Sequence, residues 1–67
     1  MIIRMRHDDG DEITWFPHES NDGRFFATQF DKLGGHEVEF ASIHEAVKWA
    51  IEQSIFACTE MGFKYKK

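Results

Sequence analysis

The side chains able to carry chemistry in this 67-residue sequence are four histidines (His7, His18, His36, His44), one cysteine (Cys58) and the acidic run Asp8-Asp9-Gly10-Asp11-Glu12. A zinc site needs thiolate and imidazole ligands grouped at close spacing, and no CxxC, HxxxH or HExxH pattern occurs. Each histidine instead stands beside a different turn or cap, as surface histidines do. The acidic run lacks the alternating oxygen ligands and terminal glutamate of a calcium loop, and reads as a solvated hairpin turn. Cys58 falls on the core-facing arc of a helix, where a thiol is a small apolar group rather than a nucleophile. Gly34-Gly35 opens no helix and so forms no phosphate cradle. The sequence carries no enzyme signature: the reading is of no catalytic residue, no metal and no cofactor.

Size and charge narrow the remaining classes. Sixty-seven residues make one small domain, 1–67, with 12 acidic against 8 basic residues and a net charge of −4. The composition is 42% hydrophobic and 15% aromatic. Bulky rings are an efficient filling for the thin core that so short a chain can build. A core of this size gives marginal stability, which dimerisation or a partner would raise. One cysteine excludes an internal disulfide framework and points to a reducing, cytoplasmic setting. No apolar run is long enough for a membrane span, and the start MIIRMRHDDG lacks the apolar segment of a signal peptide.

The elements that must position any site follow from turn and cap signals. Ser42-Ile43-His44-Glu45 is a capping box, in which the serine hydroxyl accepts the Glu45 N–H and the glutamate reaches back to the N–H of Ser42. Helix formers continue to Gly62, which can end a helix in the left-handed conformation. The spacing predicts a helix over about 43–60. Before it, strands over 2–6, 12–16, 24–30 and 37–41 are separated by Asp8-Asp9-Gly10-Asp11, by Pro17 with Ser20-Asn21-Asp22-Gly23, and by Lys32-Leu33-Gly34-Gly35. Connections this short require antiparallel neighbours. The predicted fold is α+β: an antiparallel meander of three or four strands, followed by one long C-terminal helix packed on one face. The alternating tail 63–66 is a candidate for a short terminal strand.

Helical periodicity groups Ile43, Ala46, Val47, Ala50, Ile51, Ser54, Ile55 and Cys58 on the core arc. Trp49 and Phe56 lie seven residues apart on the opposite side, among Glu45, Glu52 and Glu60. Two large rings in an acidic setting leave transfer energy unrealised unless something covers them. The chain's own termini are one cover; a partner is the other. Period-two alternation assigns Ile3, Met5, Ile13, Trp15, Phe26, Phe30, Val38 and Phe40 to the face under the helix. Arg4, Arg6, Glu12, Thr14, Gln29, Glu37 and Glu39 then occupy the open face, with Phe16 and Phe25 as apolar exceptions near one turn and cross-strand Arg–Glu pairs as their expected neighbours.

From Ile13 to about Phe56 the order of features resembles the N-terminal domain of HicB-type antitoxins. The residues that carry the likeness are Asp22-Gly23-Arg24-Phe25-Phe26-Ala27-Thr28-Gln29-Phe30, Asp31-Lys32-Leu33-Gly34-Gly35 and Ser42-Ile43-His44-Glu45-Ala46. The loop prolines typical of that family are absent, an extra strand precedes the match, and no DNA-binding segment follows it. The resemblance implies a toxin-binding module without its own operator-binding part.

These readings converge on a non-enzymatic protein-interaction module: a small adaptor, inhibitor or antitoxin-like domain. Its predicted contacts are Trp49 and Phe56, ringed by Glu45, Glu52 and Glu60, with another protein or a second copy as partner. Phe16, Phe25, Arg4 and Arg6 mark a secondary surface. The alternative is nucleic-acid binding through the open sheet face and the basic termini, a reading that the overall acidity disfavours.

Overall fold

The computed structural model describes residues 1–66. Five strands, β1 (Ile3–Arg6), β2 (Glu12–Glu19), β3 (Phe25–Asp31), β4 (Gly34–Phe40) and β5 (Lys64–Tyr65), form one antiparallel sheet with the helix α1 (Ile43–Met61) across one face. The strand order is β4-β3-β2-β1-β5, so the first four strands are a meander and the tail adds a fifth. The α+β architecture agrees with the pattern of turns and caps in the sequence. Turn chemistry explains the tight returns. Gly10 (φ 96°) closes the β1–β2 turn with its N–H on the His7 carbonyl at 2.9 Å. At the β3–β4 turn, Asp31 Oδ1 accepts the Leu33 N–H at 2.8 Å.

The second strand runs further than its proline suggests. Pro17 pairs with Ala27 of β3, while the β1 ladder reaches only from Arg6 opposite Glu12 to Ile3 opposite Trp15. Pro17 therefore sits beyond the end of β1, where its missing N–H breaks no ladder bond on that side. Gly34 and Gly35 also belong to a strand rather than to the preceding turn, because Asp31 already pairs with Gly34.

The helix must carry the chain from one sheet edge to the other. Four inter-strand gaps span roughly 19 Å, and the 19-residue helix provides about 28 Å, enough to cross on a diagonal. Its cap differs slightly from the expected box. Ser42 Oγ accepts the Glu45 N–H at 3.2 Å as predicted, but Glu45 Oε2 accepts from Ala41, one residue before the cap. Gly62 (φ 80°) terminates the helix, and the Phe63 N–H turns back to the Ala57 carbonyl at 3.0 Å.

The core is built on Met5, Trp15, Ala50 and Ala57, with Ile3, Ile13, Trp49 and Phe63 packed partly against it. The buried helix positions are Ala46, Ala50, Ser54 and Ala57. Of the predicted core arc, Ala46, Ala50 and Ser54 are thus buried and Val47 is half-buried, but Ile43, Ile51, Ile55 and Cys58 are exposed. The physical reason is depth. Trp15 and Met5 fill the interlayer space from the sheet side, so the helix closes on them through its smallest residues and its aliphatic side chains rotate outward.

The β3 strand faces the opposite way from the expected assignment. Pairing of Trp15 with Gln29 and of Pro17 with Ala27 puts Gln29, Ala27 and Phe25 under the helix, and Phe26, Thr28 and Phe30 on the open face. Phe25 is consequently not a neighbour of Phe16; it pairs with Phe40 of β4. A buried polar group decides this phase. The indole N–H of the buried Trp15 donates to Gln29 Oε1 at 2.9 Å, a bond available only with Gln29 on the inner face. At the other flank, Ser54 Oγ donates to the Ile51 carbonyl at 2.8 Å and lies 2.9 Å from the Tyr65 hydroxyl, which ties β5 to the helix.

Candidate functional site

Two surfaces emerge, one on each side of the molecule. The first is the outer side of the helix. Phe56 is 56% exposed, and Ile51 and Ile55 are 40% and 51% exposed. Glu45, Glu52 and Glu60 are exposed around them. Trp49 differs from its expected position facing away from the sheet. It is half-buried against the core, with its ring centroid 5.7 Å from that of Phe40. Strand β4, rather than either terminus, supplies that neighbour. The anticipated Trp49–Phe56 pair is therefore divided: one ring supports the fold and the other stands in solvent. Val47 and Ile51, with His44, Lys48 and Glu52, line a shallow apolar depression beside it.

The aliphatic part of this surface was hidden in the sequence by the usual reading of amphipathicity, which sends the largest apolar side chains inward. The spacing Ala46, Ala50, Ser54, Ala57 held the opposite signal. A stripe of small residues along one helix face permits a close approach and leaves the bulky flank free.

The second surface is the open face of the sheet. Phe16 and His18 on β2 are stacked with ring centroids 5.1 Å apart, and His18 stacks on Phe26 of β3 at 5.8 Å. The guanidinium of Arg24 lies 5.3 Å from the Phe26 centroid and grips Glu39 with bonds of 3.0 and 2.6 Å. Glu39 in turn is held below the usual carboxylate range by that hydrogen bond. His18 Nε2 lies 3.0 Å from Thr28 Oγ1 and 3.5 Å from Glu37 Oε1.

Arg4 and Arg6 project from β1 on this same face, as expected, beside Lys64 and Lys66. Glu12 bridges them, accepting from Lys66 at 2.8 Å and from Arg6 at 3.4 Å. Its carboxyl is pushed below its ordinary value, first by the Lys66 hydrogen bond. Lys64 reaches Asp8 of the adjacent turn at 3.5 Å. Charge is therefore graded across the sheet, acidic toward β4 and basic toward β1 and β5.

Among the described residues, no group of three or more His, Cys, Asp or Glu side chains is placed to hold a metal ion. Cys58, expected on the core arc, is a free, exposed thiol. No helix among the described residues is long and apolar enough to cross a membrane.

The structure thus defines a five-stranded antiparallel sheet backed by a single helix, with apolar side chains exposed on both layers. Comparison with protein-family models, with curated proteins and with solved structures finds no match to this chain. The likeness to HicB-type antitoxins accordingly rests on the residues quoted above.

Proposed function

We propose that this chain is a non-enzymatic protein-interaction module that docks through the outer side of its helix, with a second copy of itself as the first partner. The observation that carries this reading is the inverted helix, buried through Ala46, Ala50, Ser54 and Ala57 while Ile51, Ile55 and Phe56 face solvent. Covering each such side chain recovers roughly 1.5–3 kcal/mol of transfer energy if burial becomes complete. Ile43, Val47, Ile51 and Ile55 form an i±4 ridge, the feature that interdigitates in the commonest helix–helix packing. Lys48 and Glu52 beside the ridge have opposite charges, so two copies do not repel one another there. A dimer would also relieve the thin core of a 67-residue chain.

In this arrangement Phe56 is the aromatic anchor, and Glu45, Glu52 and Glu60 form the polar rim. Trp49 acts from beneath, fixing the helix against Phe40. An antitoxin-like role, with a basic toxin docking on the same acidic and apolar surface, is the heterologous form of this reading.

Analytical ultracentrifugation across a wide concentration range tests it. The expected result is concentration-dependent dimerisation that Ile51→Lys with Ile55→Lys abolishes while the circular dichroism stays unchanged. A chain that sediments as a 7.9 kDa monomer throughout would remove self-association.

A further inference from the structure

The reversed phase of β3 changes what the open sheet face can bind. It brings Phe26 and Phe30 to the side already occupied by Phe16 and His18, and puts Phe30 in one row with Arg4 of β1. One lateral row is particularly informative. Gly35 of β4 is opposite Phe30, Phe30 is opposite Thr14, and Thr14 is opposite Arg4. The Lys66 N–H then bonds to the Arg4 carbonyl at 2.9 Å and ends the row.

A Cβ at Gly35 would stand 3.1 Å from Phe30 Cε1 and 3.2 Å from Cδ1. The Cδ1–Cε1 edge of the Phe30 ring therefore packs against Gly35, yet the residue remains 53% exposed. An aromatic ring held along one edge and more than half exposed offers a surface on which a base can stack. Phe16, on the neighbouring strand and diagonal to Phe30, is a second exposed ring about 7–8 Å away along the backbone. Arg4 stands two strands from Phe30, about 10 Å across the sheet and within the reach of a long guanidinium side chain.

We propose that this face binds single-stranded nucleic acid, with bases stacked on Phe30 and Phe16 and the phosphates held by Arg4, Arg6, Lys64 and Lys66. Charge complementarity selects this partner. The chain carries a net charge of −4, but its cations collect at the β1–β5 end of this face. Glu12 is the one strand carboxylate among them, joined by Asp8 from the turn. Among the described residues, Arg4 makes no ion pair. The pairs of Arg6, Lys64 and Lys66 are solvent-exposed and so hold their cations weakly, leaving them available to a phosphate. Stacking is tolerant of sequence because every base has a π face, so recognition would follow strand character rather than base identity.

Fluorescence anisotropy with labelled oligo-dT, oligo-U and a duplex, each about 12 nucleotides long, tests the proposal at low ionic strength. The expected result is salt-sensitive binding of either single strand and weaker binding of the duplex. Phe30→Ala should weaken binding by roughly 5- to 100-fold, and Phe30→Tyr should preserve it. Should Phe30→Ala fail to fold, Phe30→Leu keeps apolar volume over Gly35 without a π face and is expected to show the same loss. Gly35→Val, which lifts the ring while retaining it, should also weaken binding. Arg4→Gln should flatten the dependence of log K on log salt by about 0.7. Absence of any anisotropy change, equal binding of the duplex, or wild-type binding by both Phe30→Ala and Arg4→Gln would overturn the proposal. Loss of self-association on Phe30→Ala, with no oligonucleotide bound, would overturn it in favour of a protein interface. Ile51→Lys with Ile55→Lys, on the other side of the molecule, is expected to leave oligonucleotide affinity per chain unchanged, so the two surfaces fail or succeed separately.

Discussion

The indole N–H of Trp15 donates to Gln29 Oε1 across the β2–β3 ladder at 2.9 Å. This bond lets the largest core side chain be buried without leaving a donor unpaired. It also fixes which way every side chain of β3 points, since a one-residue slip in a strand exchanges its two faces. The placement of Phe26 and Phe30 on the open face is thus a consequence of what Trp15 requires.

Removing that acceptor should be costly. Gln29→Leu leaves the Trp15 donor buried without a partner, and a loss of about 1–3 kcal/mol is expected in urea unfolding. Trp15→Phe together with Gln29→Leu removes both polar groups and should recover part of that loss.

The two helix aromatics should separate cleanly by mutation. Trp49→Ala strips a half-buried ring from Phe40 and the core, and should destabilise the monomer by about 2 kcal/mol. Phe56→Ala removes an exposed ring and should change monomer stability by no more than about 0.5 kcal/mol. Equal losses in thermal unfolding of a monomeric background would contradict this division.

Acid should loosen the fifth strand. The Glu12 carboxyl is lowered from its ordinary value of 4.5 by Lys66 and then Arg6. A carboxylate depressed in the folded state contributes stability that is fully present above 4.5 and is lost as pH falls through the lower folded value. Amide exchange at Lys66 should therefore accelerate, relative to the core, as pH drops below 4.5, and Glu12→Gln should remove that dependence.

Gly62 should resist substitution for two reasons. Its φ of 80° is strained for an L side chain, and a Cβ there would approach His7 Nε2 at 3.3 Å. His7 also meets Phe63 edge-on at 5.3 Å, so displacement would disturb the start of β5. Gly62→Ala is expected to cost about 1 kcal/mol or more in thermal unfolding, with Phe63 the first aromatic to show altered NMR shifts.

Local chemistry wrote the element list directly into the chain. Ser42 and Gly62 bound the helix because a cap hydroxyl and a left-handed glycine are local devices, and the turns at Gly10 and Gly23 likewise need only their own neighbours. Connections of a few residues then force antiparallel order. Facing is different, because it depends on what lies across the interlayer space. Alternation alone could not assign β3, where Phe25-Phe26 offers an apolar residue to either side; the hydrogen-bonding need of Trp15 made the choice. Nor could the helical period reveal that Trp15 and Met5 already fill the core, leaving room only for alanine and serine beneath α1. Which rings and aliphatic groups meet solvent is a property of that packing, and only the assembled tertiary structure decides it.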